Sequence, residues 1–316
     1  MGAARKLRAQ GGLRRGSWCS RRRGGGATVA VRVSLILATV CRTWEVARFL
    51  DSLVRQSYRD WELVVVDQNP DARLKPILDA YVGCVGPIYH LRAERGLSRA
   101  RNVGLGHIAG DIVGFPDDDC WYPPDLLERV VGFFELEQGT AGLCGRASDE
   151  HGRSVMGRWA PSAGPIGLSN VWYTGVSFTI FLRTEAVSAV GPFDERLGVG
   201  SGTCWGSGEE TDYLIRAIKL GFKLWYDPTI AVYHPEPFEY LPLSQLARRS
   251  YRYARGMGFV IGKNAYPLWR AARLVARPLG GVAVYCALGR FRKAGISLAT
   301  FAGRFLGWAD GVMQGR

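Results

Sequence analysis

The chain has 316 residues, 47% hydrophobic and 22% charged, which supplies a sizeable core and excludes a short peptide or a disulfide-stapled miniprotein. Its net charge of +13 is unevenly placed: residues 1–26 carry eight Lys/Arg and no acid, and residues 241–316 carry thirteen against the single acid Asp310. The stretch between nets −7, so an acidic body with two basic ends replaces the evenly basic face of a nucleic-acid binder, and no specific nucleic-acid partner is expected.

Residues 1–30, rich in Gly and Arg without a hydrophobic period, read as a disordered basic segment. Val31–Thr39 is a continuous apolar run of the kind found in a buried parallel strand. Val46, Phe49, Leu50, Leu53 and Val54 then fall on one helical face. Trp61–Asp67 is a second strand, Ile88–Leu91 a third, and a helix is expected over 98–108. A short strand, Asp111–Phe115, runs into Asp117-Asp118-Asp119, and Pro123-Pro124 opens a further helix.

Strands alternating with helices predict an α/β fold with a mostly parallel sheet flanked by helices. Ligands of such sheets bind beyond the carboxyl ends of the strands, so Thr39, Asp67 and Asp117–Asp119 are expected to meet in one crevice. Further on, Phe178–Arg183 reads as a strand, 191–208 as a long Gly-rich loop and Glu209–Leu220 as a helix. Phe222–Tyr226 and Ile230–Tyr233 read as two short strands around a turn at Asp227-Pro228. Beyond residue 241 the pattern is one of basic amphipathic helices interrupted at Pro267, Pro278 and Gly280-Gly281.

The seven cysteines lack the close spacing of a zinc or redox motif and read as reduced thiols. No apolar run approaches the roughly 18 residues of a membrane span, and none precedes Arg21-Arg22-Arg23 as in a secretory signal, so a cytoplasmic protein is expected.

The acid triplet is the sharpest chemical signal. Carboxylates at i and i+2 of an extended segment share a side, and with no basic residue among them they repel unless a cation lies between. A hard divalent ion with open positions for phosphate oxygens fits, and an acidic turn capping the next helix is the alternative. The second signal is Gly208-Glu209-Glu210-Thr211-Asp212, preceded by a loop too glycine-rich and too long for a mere connector. Acids in a first helical turn are also ordinary dipole partners, and Asp212 can pair with Arg216.

Taken together and in order, these pieces resemble the family 2 glycosyltransferases, enzymes of the GT-A fold that use nucleotide-diphosphate sugars. The resemblance rests on Thr39 and Arg42 after the first strand, Asp67 after the second, Glu94–Gly104 with Arg101, Phe115–Asp119, and Gly208–Arg216. It implies a catalytic domain over 31–240, with 31–120 binding nucleotide and 121–240 binding acceptor, followed by a helical extension over 241–316. Thr39, Arg42, Asp67, Arg101, Asp117 and Asp118 would line the nucleotide-sugar site, Asp67 by accepting a hydrogen bond from the base and Arg101 by facing the nucleotide. Asp119, with Asp117 and His234, would hold Mn2+ or Mg2+. Glu210 stands where the family has its catalytic Asp, with Glu209 as rival for the base and Asp212 as a positioning neighbour. Trp205 and Gly206 of the Gly-rich loop would meet the acceptor, with Trp205 as an exposed stacking platform, and Arg252 or Arg255 would bind diphosphate.

Two departures stand out. Ala38-Thr39-Val40-Cys41 lacks the family's aromatic for base stacking, and Asp67-Gln68-Asn69 has one acid fewer than the usual motif. The implied activity is inverting transfer from a sugar nucleotide to a glycan or lipid-linked glycan. The aromatic, basic tail suits the surface of an anionic membrane, against the alternative of a helical cap on the catalytic domain. A sugar-1-phosphate nucleotidylyltransferase would need a Gly-rich basic loop after the first strand, which Ala38–Arg42 is not. A non-catalytic basic-tailed binding protein is the remaining rival.

Overall fold

The apolar run at residue 31 becomes strand β1 (Val33–Thr39), buried along its whole length because helices cover both faces. Leu35 and Leu37 point into one core and Ile36 and Ala38 into the other. The computed structural model describes residues 31–84, 86–235 and 242–314, so the basic segment 1–30 lies outside the described residues.

Helix α1 (Trp44–Val54) buries Phe49, Leu50 and Leu53 on the first core and returns the chain to β2 (Trp61–Asp67). A short α2 (Lys75–Asp79) leads to β3 (Ile88–Arg92), and α3 (Leu97–Leu105) leads to β4 (Ile112–Gly114). These strands pair in parallel in the order β3-β2-β1-β4. One further parallel bridge, Ala38 to Asp117, starts the acid triplet beside the end of β1.

The second half adds α4 (Leu126–Leu136), β5 (Gly142–Ser148), β6 (Gly164–Ile166), β7 (Ile180–Arg183), α5 (Thr184–Val190), α6 (Glu209–Lys219) and β8 (Leu224–Tyr233). The full order is β3-β2-β1-β4-β7-β5-β8-β6, with β7 antiparallel to both neighbours and β5 parallel to β8. The two strands expected around Asp227-Pro228 are one. Asp227, Pro228, Thr229 and Ile230 lie opposite Gly145 alone, and this bulge removes the proline from the ladder. Arg146 Nε donates to the Pro228 carbonyl at 2.9 Å.

Three helices follow: α7 (Leu243–Lys263), α8 (Leu268–Ala287) and α9 (Phe291–Gln314). Phe259, Val260 and Ile261 of α7, with Ala271 and Val275 of α8, enter the same core as Tyr213, Leu214 and Ile215 of α6. The extension is therefore packed into the same body as the sheet and is not an appendage. Helices α7 and α9 run parallel with their backbones in near contact, since a Cβ at Gly258 would lie 2.2 Å from the Arg304 carbonyl.

Pro278 does not interrupt α8 as expected. A proline leaves the carbonyl four residues earlier without its helical donor. Here that carbonyl, Leu274, accepts from Arg304 Nη1 of α9 at 2.6 Å.

Candidate active site

The carboxylates after β4 are partnered by cations from distant parts of the chain. Asp117 accepts from Arg101 Nη2 at 3.0 Å and from the Ser177 hydroxyl at 3.1 Å. Arg42, in the loop after β1, pairs with Asp118 at 3.1 Å and Asp119 at 2.8 Å. The other Asp119 oxygen lies 3.1 Å from Nε2 of His234, just past β8. His234 is fixed by its Nδ1, 2.6 Å from the Pro235 carbonyl, and by stacking on Phe178 with centroids 4.9 Å apart. No basic residue lies within the triplet, but two guanidinium groups arrive from elsewhere, so the acids do not depend on a metal to coexist.

Burial pushes the Asp118 carboxyl up to about 7 against the attraction of Arg42, and the nearby Thr39 hydroxyl opposes that rise. Asp117 is raised for the same reason, with Arg101 opposing. Burial alone would raise Asp119 too, yet His234 and Arg42 hold it below the usual carboxylate range. His234 moves up, because Asp119 outweighs the burial penalty on the imidazolium.

The second acidic group opens α6. Gly208 takes φ +94°, a left-handed turn that a side chain would strain, and sets Glu209 and Glu210 as the first helical residues. Glu209 is buried; one oxygen accepts from Arg101 Nη1 at 3.1 Å, and the other has no hydrogen-bond partner among the described residues. Glu210 is half-buried between two hollows. With Arg101 and Ser177 it lines a narrow cleft, and on the other side it borders a pocket of about 340 Å³ that also touches α7 and α9. Burial, followed by repulsion from Glu209, raises the Glu210 carboxyl to about 8.

Residues 34–181 match the model of the family described as Glycosyl transferase family 2. The match covers 148 of the chain's 316 residues, and over that stretch the chain is similar to the family. The succinoglycan biosynthesis protein ExoM of Rhizobium meliloti is 28% identical over 181 residues, 55% of this chain and 56% of its own, so the chain spans about half the length of that relative. Glycosyltransferase AglE of Haloferax volcanii is 23% identical over 277 residues, 83% of this chain and 82% of its own. The fold is that of the mannosyltransferase PcManGT from Pyrobaculum calidifontis, solved with GDP-Man and Mn2+, at a TM-score of 0.58 and 15% identity over 88% of each chain.

Several residues singled out in the sequence have surroundings that differ from those expected. Arg101 is 1% exposed and spans the two acidic groups. Asp67 is fully buried, and its oxygens accept from the Asn69 amide and side chain, His90 and Arg92. Asn69 in turn accepts from the Cys41 amide at 2.7 Å and holds Cys41 at φ +61°. Asp67 thus supports the loop beyond β1 from below. Asp212 is turned to α7, where it pairs with Lys263 at 2.9 Å and accepts from Asn264, besides its pair with Arg216.

The Gly-rich loop is pinned, not free. Trp205 is 7% exposed, stacked on Phe259 with centroids 3.9 Å apart, and its Nε1 donates to Asp310. It offers no platform to an acceptor. Gly206 donates to the Arg252 carbonyl. Arg255 pairs with Asp310 at 2.9 Å, and Arg252 reaches the Thr203 carbonyl, so neither joins the acid cluster. The signal for this anchoring was Asp310, the single acid in a basic stretch.

Two neighbours of the site escaped sequence reading: Ser177, and Arg48, whose Nη2 donates to the Asp119 carbonyl at 2.8 Å while its guanidinium lies 3.8 Å from the Trp121 ring centroid. No spacing in the sequence ties either residue to the triplet.

Proposed function

We propose that the chain catalyses inverting transfer of a sugar from a nucleotide-diphosphate donor to a hydroxyl of a glycan or lipid-linked glycan in surface polysaccharide assembly. The observation that carries this reading is Glu210, a half-buried carboxyl of raised pKa beside a guanidinium shared by Glu209 and Asp117. Glu210 borders both hollows, whereas Glu209 is sealed, which favours Glu210 as general base. Its carboxylate would take the proton of the acceptor hydroxyl as that oxygen attacks the anomeric carbon from the face opposite the leaving group. The succinoglycan role of ExoM supports a polysaccharide pathway.

Asp119 and His234 fit a divalent ion: one is kept ionised, and their nearest polar atoms lie 3.1 Å apart. Among the described residues no group of three or more His, Cys, Asp or Glu is arranged to hold an ion, so such a metal would need ligands from the substrate phosphates as well. Bound Mn2+ or Mg2+ would neutralise charge developing on the diphosphate leaving group. Arg42, already on Asp118 and Asp119, is the side chain placed to greet the same phosphates.

No helix among the described residues is long and apolar enough to cross a membrane. Leu268, Trp269, Phe291, Phe305 and Met313 of α8 and α9 are nevertheless exposed in a stretch that nets +12. This supports peripheral attachment to an anionic, cytoplasmic membrane face, where a lipid-linked acceptor resides. Flotation with anionic vesicles but not neutral ones, lost at high salt, is the expected result.

The central test is thermal stabilisation by UDP, GDP, dTDP and CDP with and without Mn2+, on wild type and Asp119→Ala. Ligand at 100 times its dissociation constant adds about 2.7 kcal/mol. A shift for one nucleotide that needs both metal and Asp119 supports the donor site and names the base. No shift with any of the four sinks it.

A further inference from the structure

The 340 Å³ pocket beside Glu210 is walled largely by the helices that follow the catalytic sheet, and its chemistry is specific. Trp172 and Tyr253 supply aromatic surface, Ser207 a hydroxyl, and Arg304 of α9 a guanidinium. Such a mixture of apolar faces and few polar groups suits one sugar ring with a substituent.

Arg304 is the unusual member. It forms no ion pair with a carboxylate among the described residues, and its buried Nε has no hydrogen-bond partner there. Burial, reinforced by Arg277, lowers its pKa to about 10 despite the opposing Tyr173. Arg277, likewise without an acidic partner among the described residues, is held by the Tyr173 hydroxyl. A desolvated cation with no counter-charge is costly unless something else supplies one. Its Nη1 is committed to the carbonyl freed by Pro278, so the side chain is fixed in place and its remaining donors are set by α8.

We propose that this pocket is the acceptor site and that it selects acceptors carrying an anionic group, a phosphate or a carboxylate, which Arg304 receives while the attacking hydroxyl meets Glu210. The inference rests on the glycosyltransferase reading for the role of Glu210, but the binding preference stands on the pocket alone. The C-terminal helices then determine acceptor specificity, a task separate from any contact with a membrane.

Isothermal titration of the full chain with three methyl glycosides of one ring tests it: glucose, glucuronic acid and glucose 6-phosphate. Wild type should bind at least one charged glycoside about tenfold or more tightly than the neutral one, as expected for a charge-assisted contact. The carboxylate and phosphate arms tell the two anion sources apart. Arg304→Gln should erase the preference, and Arg304→Lys should restore part of it. Because Arg304 also ties α9 to α8, melting temperatures accompany each titration, and the lysine variant keeps the test readable if glutamine unfolds the cap. Equal binding of all three glycosides, binding of none, or a preference that survives in a folded Arg304→Gln chain overturns the proposal. Hydrolysis of sugar nucleotide by wild type without acceptor is measured in parallel. Its absence tells against the catalytic reading while leaving the glycoside titration intact.

Discussion

Asp117 and Glu209 sit at the two ends of one guanidinium: Arg101 donates to the first at 3.0 Å and to the second at 3.1 Å. One carboxylate follows a sheet strand and the other opens a helix on the far side of the sequence. The bridge fixes the acid triplet relative to the Glu209-Glu210 turn, and with it the distance between the proposed donor site and the proposed base. Breaking a buried pair by removing one partner costs about 3–5 kcal/mol. Arg101→Met should therefore abolish transfer and lower the melting temperature. Arg101→Lys should recover stability better than activity, because a point charge cannot serve two carboxylates in fork geometry. Equal recovery of both would argue against a positioning role.

The proposed role of Glu210 as general base fixes a pH dependence of activity. A general base must be ionised, and this carboxyl is raised from 4.5 to about 8, so kcat/KM should climb with pH through a limb near 8. Glu209 is the second cause of the shift after burial, so Glu209→Gln should move that limb to lower pH. Linkage gives the sign for stability. A carboxyl whose folded pKa lies above its unfolded value favours the fold at low pH and loses that contribution as pH rises from 4.5 to about 8. Melting temperatures at pH 6 and pH 9 should differ less in Glu210→Gln than in wild type.

The parallel half of the sheet was legible because β1 and β2 are apolar without interruption, and only burial on both faces stabilises such runs. The acid triplet and the Glu209-Glu210 turn were legible from charge placed at element ends. What the sequence hid was pairing. Gly142–Ser148 lacks the β-branched run of a strand and becomes β5 only between β7 and β8. Asp67 and Arg101 fall in the segments that carry the resemblance, yet neither composition nor spacing reveals that four donors surround the one and two acids pair with the other. Trp205 looked exposed because its loop is rich in glycine. The helix is what admits it: Gly256 of α7 lets the loop backbone come close, since a Cβ there would lie 2.2 Å from the Ser207 carbonyl.

Asp212 and Glu210 occupy one helical turn with different tasks, and mutation should separate them. Asp212 is fully buried and holds Lys263, Arg216 and Asn264, so among the described residues Asp212→Ala leaves Arg216 without a carboxylate and Lys263 with Asp194 alone, and should cost about 3 kcal/mol. For a domain of this size that is a fall in melting temperature of roughly 6–12 °C. Glu210→Gln should leave the melting temperature near wild type at pH 6, where the carboxyl is already protonated, yet remove transfer. A loss of transfer in Asp212→Ala, at a temperature where the protein remains folded, would give Asp212 a larger role than anchoring.

The contact between α7 and α9 predicts one further outcome. A Cβ at Gly307 would lie 2.0 Å from the Arg255 carbonyl, and backbone on both sides leaves no flexible atom to yield. Gly307→Ala must push the helices apart, with an overpacking cost of about 1–3 kcal/mol. Because α7 also carries Tyr253 and α9 carries Arg304, the same displacement widens the pocket beside Glu210. Acceptor KM should rise more than donor KM, although Gly307 touches neither substrate. Gly295, with nothing within 4 Å of an added Cβ, is the control: Gly295→Ala should keep wild-type kinetics and gain slightly in helix stability. Identical behaviour of the two alanine variants would mean that the helix contact is loose enough to breathe, and that the pocket does not depend on it.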